Sequence, residues 1–134
     1  MTTEGEKEYK IILIDDDDFL VNMYATKFAG SDVAVEAYKS GMAFLEKFQT
    51  EVKADLILLD VVMPGMSGIE VLKKMREDKL GEGIPVVILT NQSDEKDIVE
   101  AKKYDIAGYI VKSAATPSEV VSEVLNIIKS SKKA

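Results

Sequence analysis

The sequence contains no cysteine, no histidine and no tryptophan, and only three of its 134 residues are proline. The missing cysteine excludes a disulfide framework, a thiolate nucleophile and any cysteine-based metal site. With no histidine, chemistry that needs an imidazole base or a phosphohistidine has to come from a partner protein. Positive charge is also short. The 17 Lys and Arg against 24 Asp and Glu leave a net charge of -7, which disfavours nonspecific binding to a phosphate backbone. Nowhere does an uninterrupted apolar stretch approach the ~18 residues of a membrane span. The segment Met1-Thr2-Thr3-Glu4-Gly5-Glu6-Lys7 lacks the apolar core of a signal peptide. These absences lead to an expected cytoplasmic location, with neither a membrane nor direct nucleic acid among the partners.

What is present is ordinary for a globular domain: 46% apolar and 31% charged residues. The length suits one domain, read as residues 10–129 between a tail at 1–9 and a tail at 130–134. Short apolar runs at 11–14, 33–38, 56–60, 85–90 and 108–111 read as strands. Helical spacing separates and follows them, as in Leu20, Met23, Tyr24, Lys27 and Phe28, and in Val120, Val121, Val124, Leu125 and Ile128. Ser67-Gly68-Ile69-Glu70 and Thr116-Pro117-Ser118-Glu119 read as capping boxes, the second with proline at the first helical position. Ser40 is a candidate cap for the second helix, and Ser93 with Asp94 and Glu95 for the fourth.

Five rounds of strand and helix predict an α/β fold whose parallel sheet is buried on both faces. The period of roughly two dozen residues carries no shared side-chain signature, so it is alternation and not a repeat array. A closed eight-stranded barrel needs about 250 residues. Five units instead suit an open, doubly wound, flavodoxin-like (βα)5 sheet of order 2-1-3-4-5, with ligands bound beyond the strand C-termini between the first and third strands.

The strand ends carry the chemistry. Ile11-Ile12-Leu13-Ile14 stops at Asp15, Asp16, Asp17 and Asp18; Leu56-Ile57-Leu58-Leu59 stops at Asp60, before the turn Pro64-Gly65; two further runs stop at Thr90 and Lys112. Asp17 and Asp18 read as a solvated helix N-terminus favoured by the helix dipole. Asp15, Asp16 and Asp60 converging on one rim would repel one another unless a cation relieves them, and a hard divalent ion such as Mg²⁺ is the natural answer. An EF-hand fails, because Leu20 and Thr26 stand where its loop needs Gly and Glu. Paired-carboxylate glycoside hydrolysis would leave Thr90 and Lys112 without roles. Phosphoryl transfer uses every member. Asp60 would be the nucleophile, Asp15 and Asp16 would hold the metal, Lys112 would pair with the phosphoryl group, and Thr90 would donate to another of its oxygens.

Ile12-Leu13-Ile14-Asp15-Asp16, Leu58-Leu59-Asp60-Val61-Val62-Met63-Pro64-Gly65-Met66-Ser67-Gly68, Val87-Ile88-Leu89-Thr90 and Gly108-Tyr109-Ile110-Val111-Lys112 together resemble the receiver domain of two-component response regulators. The resemblance runs from about Lys10 to Ile128. It implies that Asp60 is the phosphoacceptor, and that Asp15, Asp16, Asp60 and the backbone carbonyl of Val62 bind Mg²⁺ or Mn²⁺, with Asp16 the more direct ligand of the acidic pair. Thr90 and Tyr109 would form a switch pair, and Lys112 would contact the phosphoryl group. The implied donor is a histidine kinase or histidine phosphotransfer protein, and the readout is binding of a downstream protein or homodimerisation through the helix 4, strand 5 and helix 5 face. Such a domain is a switch that catalyses only its own phosphorylation and dephosphorylation.

Three departures qualify the match. Asn91 follows the switch hydroxyl where a small residue is usual, and Ser113 follows Lys112 where proline is usual. A cis bond to a non-proline residue costs about 2.5–4 kcal/mol, so the Lys112–Ser113 bond is expected to be trans. Val62 and Gln92 stand where polar residues often position hydrolytic water, which predicts a long-lived aspartyl phosphate tuned by Val62, Asn91 and Gln92. Two other readings stay open at this level. One is an unphosphorylated pseudo-receiver; the other is a haloacid-dehalogenase-like phosphatase, disfavoured because Val62 occupies the place of its second Asp.

Overall fold

The computed structural model describes residues 7–91 and 95–133. Its elements alternate along the chain as β1 (Tyr9–Ile14), α1 (Asp18–Ala29), β2 (Val33–Tyr38), α2 (Gly41–Lys47), β3 (Leu56–Leu59), α3 (Gly68–Glu77), β4 (Val86–Thr90), α4 (Glu95–Lys102), β5 (Gly108–Val111) and α5 (Pro117–Lys133). All strand pairs are parallel, in the order β2-β1-β3-β4-β5, as the run-and-stripe pattern predicts. The first strand begins at Tyr9 and the last helix continues to Lys133, so regular structure extends past residues 10 and 129 at both ends.

Successive side chains of a strand point to opposite faces, so one apolar run feeds two cores. Ile12, Ile14, Ile57, Leu59, Val86 and Ile88 meet Phe44 of α2, Val71, Leu72 and Met75 of α3 and Ala101 of α4. Ile11, Leu13, Leu56, Leu58, Val87 and Leu89 meet Tyr24 and Phe28 of α1 and Val120, Val124 and Ile128 of α5. Each such aliphatic side chain taken out of water contributes about 1.5–3 kcal/mol. Burial on both faces holds for β3 and β4, and for β1 beyond its first two residues. It fails at the two edge strands, where only Val33 of β2 and Ile110 of β5 are buried, because an edge strand is flanked on one side only. At β2 the aromatic trio Tyr38, Phe44 and Phe48, with ring centroids 5.4–6.0 Å apart, fastens α2 to the sheet edge.

The helix starts follow the predicted chemistry. Ser67 and Glu70 form a reciprocal capping box, as do Thr116 and Glu119. Ser40 accepts from the Ala43 amide, and Asp17 caps α1 by accepting from Leu20 N–H. Ser93 and Asp94 lie outside the described residues.

Candidate functional site

Parallel register brings the acids together. Ile14 pairs with Leu59, so Asp15 and Asp60 leave the sheet side by side at its C-terminal edge. The ladder continues one step further: Asp15 N–H donates to the Tyr38 carbonyl and Asp60 N–H to the Ile14 carbonyl, both at 3.0 Å. Oxygens of Asp15, Asp16 and Asp60 lie within 4.8 Å of one another, a spacing that one divalent ion can span. Asp15 and Asp60 are 1% and 6% exposed, whereas Asp16 faces solvent. Asp15 Oδ1 accepts from Asp17 N–H at 3.0 Å, and Asp60 Oδ1 accepts from Val62 N–H at 3.4 Å.

The base comes from the far side of the sheet. Thr90 pairs with Val111, so Lys112 follows β5 at the level where β4 ends. Its ammonium donates to Asp15 Oδ2 at 2.6 Å and to Asp60 Oδ2 at 3.4 Å, and its side chain is only 8% exposed. Burial pushes the Asp15 carboxyl up from its ordinary range, against the pull of Lys112 and the Asp17 amide. For Lys112 burial works downward, but the Asp15 hydrogen bond and the nearby carboxylate charges outweigh it and hold the ammonium above its usual value. Lys112 is therefore a charged counter-ion inside a cluster that would otherwise repel itself.

The remaining described candidates lie on or next to β3, β4 and β5. Thr90 is buried at the end of β4. Tyr109, paired with Ile88, is half-buried against the α2–α3–α4 side of the core. Val62 is 61% exposed and Asn91 is exposed; Gln92 lies outside the described residues. No described peptide bond is cis, so Lys112–Ser113 is trans, and Lys112–Ala114 forms a single 3₁₀ turn leading into α5. Asp17 and Asp18 stay out of the cluster, one as a helix cap and the other paired with Lys39 at 3.0 Å.

Two contributors escape the sequence reading. A side chain on Gly68 would collide with the Asp60 carbonyl oxygen and the Val61 Cα, while the Gly68 amide donates to the Val61 carbonyl at 2.8 Å. Glycine thus lets α3 start directly against the backbone of Asp60; the only sequence signal is a glycine inside a capping box. The second is Arg76, whose guanidinium reaches from α3 to the Tyr104 and Asp105 carbonyls at 2.8 and 3.2 Å, a link between distant segments that no local pattern announces.

Comparison with known proteins agrees with this geometry. Residues 11–124 match the response regulator receiver domain family. The chain is 33% identical over 115 residues to the DNA-binding response regulator MtrA of Mycobacterium tuberculosis, covering 86% of this chain and 48% of that protein. It is 34% identical over 122 residues to the alkaline phosphatase synthesis transcriptional regulatory protein PhoP of Bacillus subtilis, covering 91% and 49%. The chain thus spans about half the length of these relatives. Among solved structures, the Francisella response regulator 1452 receiver domain superposes with a TM-score of 0.80 at 25% identity, covering 91% of this chain and 98% of that one. A CheY-like receiver domain protein from Methanospirillum hungatei, at 21% identity, shares the fold with a TM-score of 0.83 over 96% and 98%. With an acidic rim, a lysine from β5 and this match over most of its length, the chain belongs to the response regulator receiver domain family of two-component systems.

Proposed function

We propose that this receiver domain, taken as residues 10–129, accepts a phosphoryl group on Asp60 from a histidine kinase or histidine phosphotransfer protein. The observation that carries this reading is a buried lysine set between two of three clustered carboxylates, one of which ends the central strand. An Asp60 oxygen attacks the phosphorus, the bond from phosphorus to the donor nitrogen breaks, and its electron pair stays on that nitrogen. Asp60 becomes an acyl phosphate. Asp15, Asp16, Asp60 and the Val62 carbonyl are the groups that would hold Mg²⁺ or Mn²⁺, whose chemistry is to neutralise charge on the phosphoryl oxygens. Three oxygens within 4.8 Å on hard carboxylate ligands fit such an ion.

Lys112 stabilises the transferred group as a point charge, and the Thr90 hydroxyl donates to another of its oxygens. Thr90 moving toward the new charge leaves room that Tyr109, on the neighbouring strand, fills by turning inward. A charge event thus biases a packing element on the α4, β5 and α5 face. That surface would meet a downstream protein or a second copy of the chain. The domain turns over no separate substrate, and its charge of -7 argues against its own surface holding nucleic acid.

The test is intact-mass spectrometry after incubation with Mg²⁺ and acetyl phosphate. The wild-type chain gains one phosphoryl group and Asp60→Asn gains none. Equal gain in both would refute Asp60 as acceptor; gain in neither would point to a pseudo-receiver.

A further inference from the structure

The two ends of α4 are held unequally. Among the described residues of this helix only Ala101, in its last turn, is fully buried, while Glu95, Lys96 and Val99, nearer its start, are exposed. Another helix grips the segment that follows it. Arg76, in the last turn of α3, donates from Nε to the Tyr104 carbonyl at 2.8 Å and from Nη2 to the Asp105 carbonyl at 3.2 Å. Those carbonyls stand on either side of the Asp105 Cα, where the chain turns with φ +57°, a left-handed conformation uncommon outside glycine. The planar fork of one guanidinium thus fixes the backbone torsions of the turn that leaves α4, and its charge strengthens both bonds.

The chain on both sides of that turn is tied as well. The Lys103 and Tyr104 amides donate back to the Glu100 and Ala101 carbonyls, and the Ala107 amide donates to the Val86 carbonyl at 2.8 Å, just ahead of β5. α3 is a firm base for the grip, with Val71, Leu72 and Met75 fully buried. We infer that Arg76 is a pin that fixes the C-terminal end of α4 to α3. A rearrangement at Thr90 and Tyr109 then swings the N-terminal half of α4 about that end and does not shift the whole helix. The swing rests on the receiver reading; the pin does not.

Amide hydrogen exchange followed by NMR tests the pin, on wild type and on Arg76→Met, which keeps most of the stem and removes the fork. Exchange at Lys103, Tyr104 and Ala107 speeds up about tenfold in the variant, the effect of losing hydrogen bonds from a charged donor, while Leu13 and Leu58 in the sheet hold. Arg76→Lys, which keeps the charge without the fork, falls between the two and replaces the methionine variant should that one not fold. Unchanged exchange at the three amides, or equal acceleration throughout the sheet, overturns the pin. Adding Mg²⁺ and beryllofluoride tests the swing. In wild type the backbone shift changes of this region concentrate at residues 95–99 and leave 101–105 nearly still; in Arg76→Met they spread through both. Changes as large at 101–105 in wild type overturn the swing. A wild-type chain that takes up no beryllofluoride counts against the receiver chemistry and removes the swing with it, while the exchange result still decides the pin.

Discussion

Asp60, only 6% exposed, is framed by its neighbours at the end of β3. Buried Leu59 precedes it, exposed Val62 follows two residues later, and the turn at Gly65 adopts φ +81°, a conformation that suits glycine. Of the two rate-tuning residues that the structure describes, Val62 offers the clearest experiment. Val62 is 61% exposed two residues after Asp60, and its side chain can neither donate nor accept a hydrogen bond, so under the proposed chemistry it gives an attacking water no guidance. Val62→Asn is expected to shorten the half-life of the acyl phosphate about fivefold, the effect of one net hydrogen bond to that water. The decay is followed by ³¹P NMR after the donor is removed. An unchanged or longer half-life would mean that residue 62 does not set the hydrolysis rate.

At the scale of elements, sequence and structure part at the sheet edges, β2 and β5. The run at 33–38 is apolar enough to suggest full burial, yet exposure depends on which strands lie beside it, and that order is a property of the sheet. The polar residues of the β2 edge are tied together. Lys10 Nζ lies 2.8 Å from Glu36, and the Tyr38 hydroxyl donates to the same carboxylate, which holds the Tyr38 phenol up at about 12 through burial and that bond. The bonds from Lys10 and Tyr38 hold the Glu36 carboxyl below its usual value. A depressed carboxyl favours the folded state above its unfolded pKa of about 4.3, and that contribution fades as pH falls through the lower folded value. Urea midpoints of wild type and Glu36→Gln should therefore differ at pH 6 and converge below about pH 4, the group being partly screened by solvent. A gap that persists undiminished to pH 3 would show that the network does not stabilise the edge.

Across the whole molecule, the fold was legible because each parallel strand is a short apolar run whose alternate residues feed two cores. The site was legible because four of those runs end in side chains with complementary chemistry. Links between distant segments were not. Arg76 on the Tyr104 and Asp105 carbonyls, and Lys132 on Asp55 at 2.8 Å, join positions that no local periodicity relates.

The acidic rim also predicts a linkage between metal and stability. An ion that binds only the folded chain stabilises it by about 2.7 kcal/mol at a hundred times its Kd. Asp16 is exposed and supports no core contact, so Asp16→Asn should leave the melting temperature in EDTA nearly unchanged while weakening the rise produced by Mg²⁺. An undiminished rise would remove Asp16 from the metal site.

Borohydride trapping tests the central claim most directly, because it reduces an acyl phosphate to an alcohol on the residue that carried it. The wild-type chain, incubated with acetyl phosphate, reduced, digested and sequenced by tandem mass spectrometry, should carry that change at Asp60 when Mg²⁺ is present and at no residue in EDTA. A change at another carboxylate, or one at Asp60 that persists undiminished in EDTA, would contradict phosphoryl transfer at the metal-dependent aspartate cluster.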